Sequence, residues 1–479
     1  MDVGLHATEV RSRLGFFGMM RSMGRKIAAW RTLLLLAFLC GLFVALTFPG
    51  FQFPVVSDTV IYALTGQSFW TTGHYVLFGE PHAKYLPLFG ILSYPLVWAF
   101  GMQIGMKVAS ITAGCGVLVV TYFLLRRTFS QQVAVLSAFF LAIHHGFVFM
   151  AMVGSADPLF VLLFLASVLA YVKGGDDRRW YLVMGIAAGL ACLTRYNGIP
   201  LFPLFLVAAF VQRREDLKSG WFWAGLAAGG ALFSVWLVRN TLTFGNPLYT
   251  EYSSEWTTNS LGFVSQLFAN ALFYLNPLHN ILLLLPFALW GMLKASRFRW
   301  LLIFAMLTAW VLTSFWWVEG MRFALAGFPI LIGFAAFGLL DVVHRVSRTV
   351  GYSAITIIIL VHIAALSLYA YGSVNAWFDR TVGLLPNDLH LSSEGFWAWQ
   401  QARDFVNAHA EIGAVVRVAP LAEIGWKEQG IYRKDLRLLS DPKNECPVYE
   451  IAQRVRSGTT AIFQTESWPV TYVFLSPCR

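Results

Sequence analysis

Charged residues are scarce in this chain. Only 13% of its 479 residues are Asp, Glu, Lys or Arg, whereas 57% are hydrophobic, and the mean hydropathy is +0.62. So few polar side chains cannot cover the surface of a soluble globular protein. The composition therefore predicts a polytopic membrane protein.

Cysteine is also rare, with five residues in the whole chain. Cys40, Cys115 and Cys192 lie within apolar runs, where cysteine packs as a small hydrophobic side chain. Cys446 and Cys478 lie in the polar C-terminal tail, and in an oxidising compartment they are candidates for a disulfide. Their geometry does not follow from the sequence.

The sequence lacks any motif with the ligand spacing of a metal site. His144-His145 are adjacent, and on a continuous helix neighbouring side chains point apart, so interfacial packing is expected there. No metal site and no cofactor are predicted, although assembly of a divalent-metal site through the fold stays open. The sequence also shows no internal repeat of 20–50 residues.

Apolar runs long enough to cross a bilayer, which needs about 20 residues, recur from residue 31 to about residue 372. Arginines and lysines precede the first run without a cleavage site, so it is expected to be a retained anchor. We predict about eleven spans, near residues 31–49, 107–125, 132–150, 158–173, 180–197, 199–212, 221–238, 280–293, 300–317, 323–340 and 353–372.

Basic residues cluster in alternate loops, on the same side as the N-terminus. By the positive-inside rule this side is the cytoplasm, so the net charge of +10 reflects membrane orientation and not nucleic-acid binding. An odd number of spans then places the C-terminal tail outside. These basic residues are Arg126, Arg127, Lys173, Arg178, Arg179, Arg213, Arg214, Lys218, Lys294, Arg297, Arg299, Arg345 and Arg348.

Three regions follow from this pattern. Residues 1–30 form a cytoplasmic segment, residues 31–373 a membrane domain, and residues 374–479 an external α/β domain. Two long external loops interrupt the membrane domain, at about 50–106 and 239–279. In the tail we predict helices at 393–409 and 447–455 and strands at 414–418, 460–465 and 470–475.

Short motifs lie on the predicted outer side in a recurring order. They are Ser57-Asp58 with Tyr62, Gly73-His74-Tyr75, His82-Ala83-Lys84-Tyr85-Leu86-Pro87-Leu88, Ala156-Asp157-Pro158, Leu193-Thr194-Arg195-Tyr196-Asn197-Gly198, Arg239-Asn240 with Phe244-Gly245-Asn246-Pro247, and Arg322-Phe323 before Pro329. Their order and shared side resemble the polyprenyl-phosphate-sugar-dependent GT-C glycosyltransferases, in particular the mannosyl- and aminoarabinosyl-transferase group. The resemblance covers roughly residues 30–345. Thr59 stands where many relatives have a second acidic residue, and Lys84-Tyr85-Leu86-Pro87 replaces a Lys-Pro-Pro-like motif.

The resemblance implies an all-α membrane domain that transfers a sugar from a polyprenyl-phosphate carrier to an acceptor hydroxyl, with inversion at the anomeric carbon. The acceptor is a glycan, a lipid or a protein. Outside a bacterial or archaeal plasma membrane, the expected location, nucleotide sugars are absent, so a lipid must carry the donor. The reaction needs a base for the acceptor proton and cations for the departing phosphate.

The resemblance and the outer position together nominate site residues. Asp58 and Asp157 are the candidate catalytic carboxylates. The candidate phosphate-binding cations are Lys84, Arg195, Arg239 and Arg322, and the candidate substrate-binding residues are Tyr62, His82, Tyr85, Asn240 and Glu319.

Each of these assignments has a structural alternative. Asp58 and Asp157 lie at predicted helix starts, where a carboxylate stabilises the helix dipole. Arg195 and Arg322 lie at outer ends of spans, where arginine also extends to the interface. Glu319, three residues before Arg322, is also placed to pair with it on one helical turn.

Two other functions fit a polytopic protein. A transporter or lipid flippase would typically show repeated halves with interrupted helices at midplane depth, and the sequence shows no such symmetry. A catalytically inactive scaffold that presents the C-terminal domain is the third alternative.

Membrane topology gives the first testable prediction. Because basic residues mark one side, reporter fusions after Asp177 and after Arg479 should report cytoplasmic and external locations, respectively. The same location for both fusions would contradict the predicted orientation.

The cysteine pattern gives the second. We expect a Cys446–Cys478 disulfide, which would stabilise the tail by about 3–4 kcal/mol in the chain-entropy model. Alkylation without reductant, followed by mass mapping, should leave both cysteines unlabelled, with Cys192 as a thiol control under denaturing conditions. Labelling of both tail cysteines would reject the bridge.

Overall fold

The computed structural model describes residues 30–52, 58–77, 79–251, 263–295, 298–311, 321–371, 393–418, 435–438, 447–452, 460–465 and 472–476. Glu319, Cys446 and Cys478 lie outside these residues, so the predictions made for them stay predictions.

The described part of residues 30–371 is mostly helical, with connecting loops and one short hairpin. Its helices are α1 (Trp30–Phe51), α2 (Asp58–Thr72), α3 (Pro87–Thr128), α4 (Gln131–Ala142), α5 (His145–Met152), α6 (Asp157–Gly174), α7 (Trp180–Thr194), α8 (Leu201–Gln212), α9 (Gly220–Phe244), α10 (Phe263–Leu275), α11 (Leu285–Lys294), α12 (Arg299–Val311), α13 (Met321–Ala324), α14 (Phe328–Val343) and α15 (Arg348–Ala365). Strands β1 (Val76–Leu77) and β2 (Glu80–Pro81) form the hairpin between α2 and α3.

The apolar helices agree with the predicted spans. By length and composition, α1, α3, α6, α9 and the helical segment Thr349–Leu368 are able to cross a membrane, and α4 with α5 form a pair bent by 55°. The shorter apolar helices are Trp180–Thr194, Tyr196–Gln212, Leu282–Lys294, Arg299–Trp310 and Phe328–Val343. Each of these segments overlaps at least one predicted span, and the predicted all-α membrane fold is confirmed. The number of eleven spans stays a prediction.

The third predicted span, residues 132–150, is not one straight helix. His144 interrupts it and caps α5, because its Nδ1 accepts a hydrogen bond from the backbone N–H of Phe147 at 3.3 Å. The rings of His144 and His145 stack with centroids 4.8 Å apart, and both are fully buried. The expectation that these rings point apart was wrong, because it assumed a continuous helix. Their interfacial position stays a prediction.

The first predicted external loop contains regular structure. It holds helix α2 and the first part of α3, which continues to Thr128. Gly101 breaks α3 with φ 77° and ψ 163°, a backbone conformation that favours glycine. The kink separates the first part of α3, which lies in the predicted external loop, from the second part, which contains the predicted span 107–125.

The described residues of the C-terminal tail form a five-stranded sheet with one helix, α16 (Ser393–His409). The strands β3 (Val415–Val418), β4 (Arg437–Leu438), β5 (Val448–Ala452), β6 (Ala461–Gln464) and β7 (Tyr472–Ser476) are ordered β4-β3-β5-β7-β6. The sheet is parallel across β4, β3 and β5, where Val415 lies opposite Val448, and antiparallel across β5, β7 and β6. Ala402 and Val406 of α16 pack against it.

One predicted element of the tail was wrong. Residues 447–455 were expected to form a helix, but Val448–Ala452 is the central strand, and all five residues are buried. Pairing with strands on both sides outweighs the local helical pattern, because strand formation depends more on neighbours than on intrinsic preference.

Helices α7 and α9 approach each other closely through small residues. A Cβ atom at Gly185 would overlap the carbonyl oxygen of Gly225, and one at Gly225 would overlap that of Tyr181. Close backbone approach at small residues is a common basis of helix association in membranes. This contact fixes the helix pair from which Arg195 and Arg239 extend.

The glycine contact is testable. Gly225→Leu should lower the unfolding free energy by about 1–3 kcal/mol, because the side chain forces α7 and α9 apart. Gly230→Ala on the same helix is the control, since its Cβ meets no atom within 4 Å. Thermal unfolding in detergent should show a lower Tm for Gly225→Leu only. Equal Tm values would contradict the close packing.

Candidate active site

Four helix ends bring four charged side chains together. Asp58 and Asp157 are the first residues of α2 and α6. Arg195 directly follows α7, and Arg322 lies in the short helix α13. Carboxylates at helix N-termini and a guanidinium at a helix C-terminus each complement the helix dipole, so local sequence favours these positions.

The four side chains form a continuous ion-pair network. The Nη2 atom of Arg322 lies 2.5 Å from Asp58 Oδ2, and its Nε atom lies 3.7 Å from Asp157 Oδ2. Asp157 also pairs with Arg195 through Oδ1. Arg322 therefore bridges two carboxylates from different helices, and Asp157 bridges two arginines.

Asp58 is ionised and only partly accessible, with 18% of its side chain exposed. The Tyr85 hydroxyl donates a hydrogen bond of 2.8 Å to its Oδ1. Burial alone would raise the pKa of Asp58, but the charge and hydrogen bond of Arg322, helped by Tyr85, hold this pKa well below its usual range. While Arg322 stays in place, Asp58 is an anion but a weak base.

Asp157 is the most buried member, with 2% of its side chain exposed. Its backbone N–H donates to Ser155 Oγ at 3.3 Å, which helps to start α6. A carboxylate so deeply buried is stable only when it is paired, and the two arginines supply that pairing. Asp157 thus anchors the cations, whichever chemical role it has.

Aromatic rings surround the network. Tyr62 packs between Tyr85 and Phe89, with ring centroids 5.3 Å and 5.4 Å apart. The ring of Phe323 lies 5.9 Å from the guanidinium of Arg195 and 5.6 Å from that of Arg322. These contacts restrict how the charged side chains can rotate.

A second group of polar residues lies beside the first and shares Tyr85. His82 Nδ1 lies 3.2 Å from Glu251 Oε1, which also accepts the backbone N–H of Ala83 at 3.0 Å. Lys84 follows His82 and Ala83 in the chain and precedes Tyr85. Its ammonium lies 5.9 Å from the centroid of the Tyr85 ring. Lys84 is therefore brought next to the residue that contacts Asp58.

Arg239 and Asn240 hold the neighbouring loops. The two terminal nitrogens of Arg239 donate to the Tyr75 carbonyl and to Asn240 Oδ1, each at 3.0 Å. Its guanidinium stacks on the rings of Trp236 and Phe244, at 4.8 Å and 5.1 Å. In the structure Arg239 thus holds the loop of Tyr75 next to Asn240. Its contact with phosphate stays a prediction.

The predicted residues within the described part of the chain thus collect in two adjoining groups. The first contains Asp58, Tyr62, Tyr85, Asp157, Arg195 and Arg322, and the second His82, Lys84, Arg239 and Asn240. Their chemical roles stay predictions.

Two residues that contact the second group, Glu251 and Tyr196, were not among the predicted site residues. No motif pointed to Glu251, and the hydrogen bond that it accepts from the Ala83 N–H joins positions 168 residues apart in the chain. Tyr196 donates to the Ala83 carbonyl and accepts from Trp236 Nε1, both at 3.2 Å. The position of Glu251 in an outer loop was the only available signal.

The described residues include no cluster of three or more His, Cys, Asp or Glu side chains suited to a metal ion. The acids of the site are instead paired with arginines. The arrangement offers a carboxylate that can accept a proton and several cations that can stabilise an anion.

Comparisons with known proteins agree on the fold. Residues 92–238 match the family model of dolichyl-phosphate-mannose-protein mannosyltransferases. No curated protein sequence matches the chain significantly.

Solved structures extend this similarity to most of the chain. ArnT from Cupriavidus metallidurans bound to undecaprenyl phosphate is 14% identical with a TM-score of 0.64, and the match covers 93% of this chain and 97% of ArnT. The Archaeoglobus fulgidus oligosaccharyltransferase tethered to an acceptor peptide is 13% identical with a TM-score of 0.57, covering 85% of this chain and 63% of that protein. AglB from the same organism, in complex with an inhibitory peptide and a dolichol-phosphate, is 12% identical with a TM-score of 0.51, covering 83% and 63%.

The resemblance to GT-C glycosyltransferases inferred from the motifs is confirmed by these matches, and the chain has the GT-C fold. The similarity to ArnT includes nearly the full length of both proteins, whereas the chain spans about two thirds of the oligosaccharyltransferase.

The buried network makes a prediction about stability. Asp157→Ala should lower the unfolding free energy by about 3–5 kcal/mol, because it leaves Arg195 without its buried partner and Arg322 with one carboxylate fewer. Asp58→Asn should have a smaller effect, since its side chain is more exposed and the amide keeps one acceptor oxygen.

The measurement is thermal and denaturant unfolding in detergent. Asp341→Ala serves as a control, because it breaks a pair with Arg345, whose side chain is 60% exposed, and should change stability little. If Asp157→Ala unfolds like the control, the network does not stabilise the fold.

Proposed function

We propose that this chain, which has the fold of GT-C glycosyltransferases, transfers a sugar from a polyprenyl-phosphate carrier to an acceptor hydroxyl with inversion. The observation that carries the proposal is Asp58, a carboxylate held between the Tyr85 hydroxyl and Arg322 with a second cation, Lys84, in the adjoining turn. A base next to phosphate-binding cations is what such a transfer needs.

The donor class follows from the same residues and from the relatives. Two similar structures hold undecaprenyl phosphate and dolichol-phosphate, and the matching family model is named for dolichyl-phosphate mannose. Arginine suits a phosphate because its planar fork can donate two hydrogen bonds at once. We infer that Arg322 and Lys84 bind the donor phosphate. Arg195 lies next to Arg322, because both arginines pair with Asp157.

The proposed chemistry is a single displacement. Asp58 takes the proton of the acceptor hydroxyl while the hydroxyl oxygen forms a bond to the anomeric carbon. The bond from that carbon to the phosphate oxygen breaks, and the lipid phosphate leaves with the electron pair. Arg322 and Lys84 stabilise the negative charge that it gains. Attack opposite to the leaving group inverts the anomeric carbon.

Donor binding would also prepare the base. In the structure Arg322 lies 2.5 Å from Asp58 and lowers the pKa of its carboxyl. A donor phosphate competes for the same guanidinium, and partial withdrawal of Arg322 raises the pKa of Asp58 toward its ordinary value of about 4. Asp58 becomes a better proton acceptor when the leaving group is in place.

The proposed setting is the outer face of a bacterial or archaeal plasma membrane, with residues 31–373 as the catalytic membrane domain and 374–479 as an external domain. The positive-inside pattern supports this orientation. The acceptor is a glycan, a lipid or a protein, bound where its hydroxyl reaches Asp58.

The principal test is turnover. Purified protein is incubated with defined polyprenyl-phosphate sugars and a panel of acceptors, and released polyprenyl phosphate and glycosylated product are measured by mass. Asp58→Asn should fold and bind donor but transfer sugar about 10²–10⁴-fold more slowly, because the amide lacks basicity. Asp341→Asn is the control and should be fully active, since it lies in an exposed pair at the end of α14.

Two outcomes would redirect the proposal. An Asp58→Asn variant with wild-type turnover would leave Asp58 as a helix cap and make Asp157 the next candidate base. Transbilayer movement of intact sugar lipid in vesicles without release of polyprenyl phosphate would favour the flippase alternative.

Arg322 and Lys84 are tested separately. Arg322→Ala and Lys84→Ala should each raise the KM for donor, because each removes a cation that binds the phosphate. Unchanged donor titrations in both variants would remove these residues from the phosphate site.

A further inference from the structure

Glu251 joins two loops that are far apart in the sequence. One oxygen of its carboxylate, Oε1, receives the backbone N–H of Ala83 at 3.0 Å and lies 3.2 Å from His82 Nδ1. Glu251 follows α9, whereas His82 and Ala83 belong to the segment between β2 and α3. A single carboxylate thus clamps the two loops together.

The hydrogen bonds define the protonation pattern of His82. Its Nε2 lies 3.3 Å from the backbone nitrogen of Tyr85, which can only donate, so Nε2 is the acceptor. A neutral ring with an acceptor at Nε2 carries its proton on Nδ1, and this proton is donated to Glu251. With only 6% of its side chain exposed, His82 has little freedom to exchange these partners for water.

The hydrogen bond from the Tyr85 N–H to His82 Nε2 closes the turn from His82 to Tyr85, and Glu251 holds this turn through His82 and the Ala83 N–H. Tyr196 also supports it, by donating to the Ala83 carbonyl at 3.2 Å. Lys84 lies inside the closed turn. Tyr85 ends it and directs its hydroxyl to Asp58 at 2.8 Å. The positions of Lys84 and of the Asp58 partner are therefore set by the same clamp.

The charge of Glu251 suits this position. Burial raises the pKa of its carboxyl, but the hydrogen bonds from His82 and from the Ala83 N–H, together with the charge of Lys84, bring the pKa below its usual range. Glu251 is therefore ionised near neutral pH, where it accepts both hydrogen bonds and partly balances Lys84.

We propose that Glu251 is a positioning residue, which holds the His82–Tyr85 turn through His82 and the Ala83 N–H and so places Lys84 for the donor phosphate and Tyr85 for Asp58. The inference rests on the proposed function for the role of Lys84. The clamp itself does not depend on that function.

The first experiment detects the clamp without any ligand. Hydrogen exchange followed by mass spectrometry should be faster for a peptide containing Ala83 and Tyr85 in Glu251→Ala than in wild type, because the acceptor of the Ala83 amide is lost. Glu251→Gln keeps an acceptor oxygen and should preserve most of the protection. Glu80→Ala, which removes an exposed carboxylate from β2, is the matched control and should exchange like wild type. Unchanged exchange in Glu251→Ala overturns the clamp.

The second experiment asks whether the clamp acts through Lys84. Glu251→Ala should raise the KM for a polyprenyl-phosphate sugar about tenfold or more, since small misplacements of a binding group can cost up to about 10²-fold. Glu251→Gln should restore most of the affinity. In the Lys84→Ala background, Glu251→Ala should add little to the donor KM. Independent effects that multiply would reject positioning of Lys84.

The two experiments separate the clamp from the proposed function. Faster exchange in Glu251→Ala, together with a wild-type protein that transfers no sugar from any donor, would retain the clamp and reject the proposed function. Turnover by wild type with unchanged exchange in Glu251→Ala would do the opposite.

Discussion

The site depends on one constraint, the pairing of buried charge. Asp157 is almost inaccessible, so its carboxylate must be paired, and its partners Arg195 and Arg322 come from different helices. Arg322 then reaches Asp58 at 2.5 Å. A single unpaired carboxylate in this position would cost several kcal/mol, so the ends of α2, α6, α7 and α13 are held together by electrostatics. The apolar packing of the helices brings these ends close, and the ion pairs select the final geometry.

The same pairing limits and directs chemistry. Arg322 stabilises Asp58 as an anion but weakens it as a base, and it is also well suited to bind phosphate. A lipid phosphate bound here would compete with Asp58 for the hydrogen bonds of the Arg322 guanidinium. The pairing between Arg322 and the Asp58 carboxylate would then weaken. We infer that the network keeps the base weak until a donor is present, which couples donor binding to proton transfer. The Glu251 clamp would complement this coupling by holding Lys84 in place before the donor arrives.

Much of the membrane fold was predictable, because a bilayer requires long apolar segments and the sequence separates them with polar loops. That Asp58, Asp157 and Arg322 come together was also predictable, because each lies in a short motif on the same predicted side of the membrane. The break at His144 was not, because a histidine cap inside an apolar run has no strong sequence signal. The strand at Val448–Ala452 is fixed by its neighbours in the sheet, and the role of Glu251 by a contact between distant loops. Such features are tertiary and do not follow from local pattern.

The most direct test of this account is a structure of the Asp58→Asn variant with a bound polyprenyl-phosphate sugar. We expect the phosphate to lie within hydrogen-bond distance of Arg322 and Lys84, with the anomeric carbon facing residue 58. Arg322 should have moved from residue 58 toward the phosphate while Asp157 keeps its pair with Arg195. A lipid phosphate bound away from Arg322 and Lys84, with the sugar remote from residue 58, would contradict the proposed site.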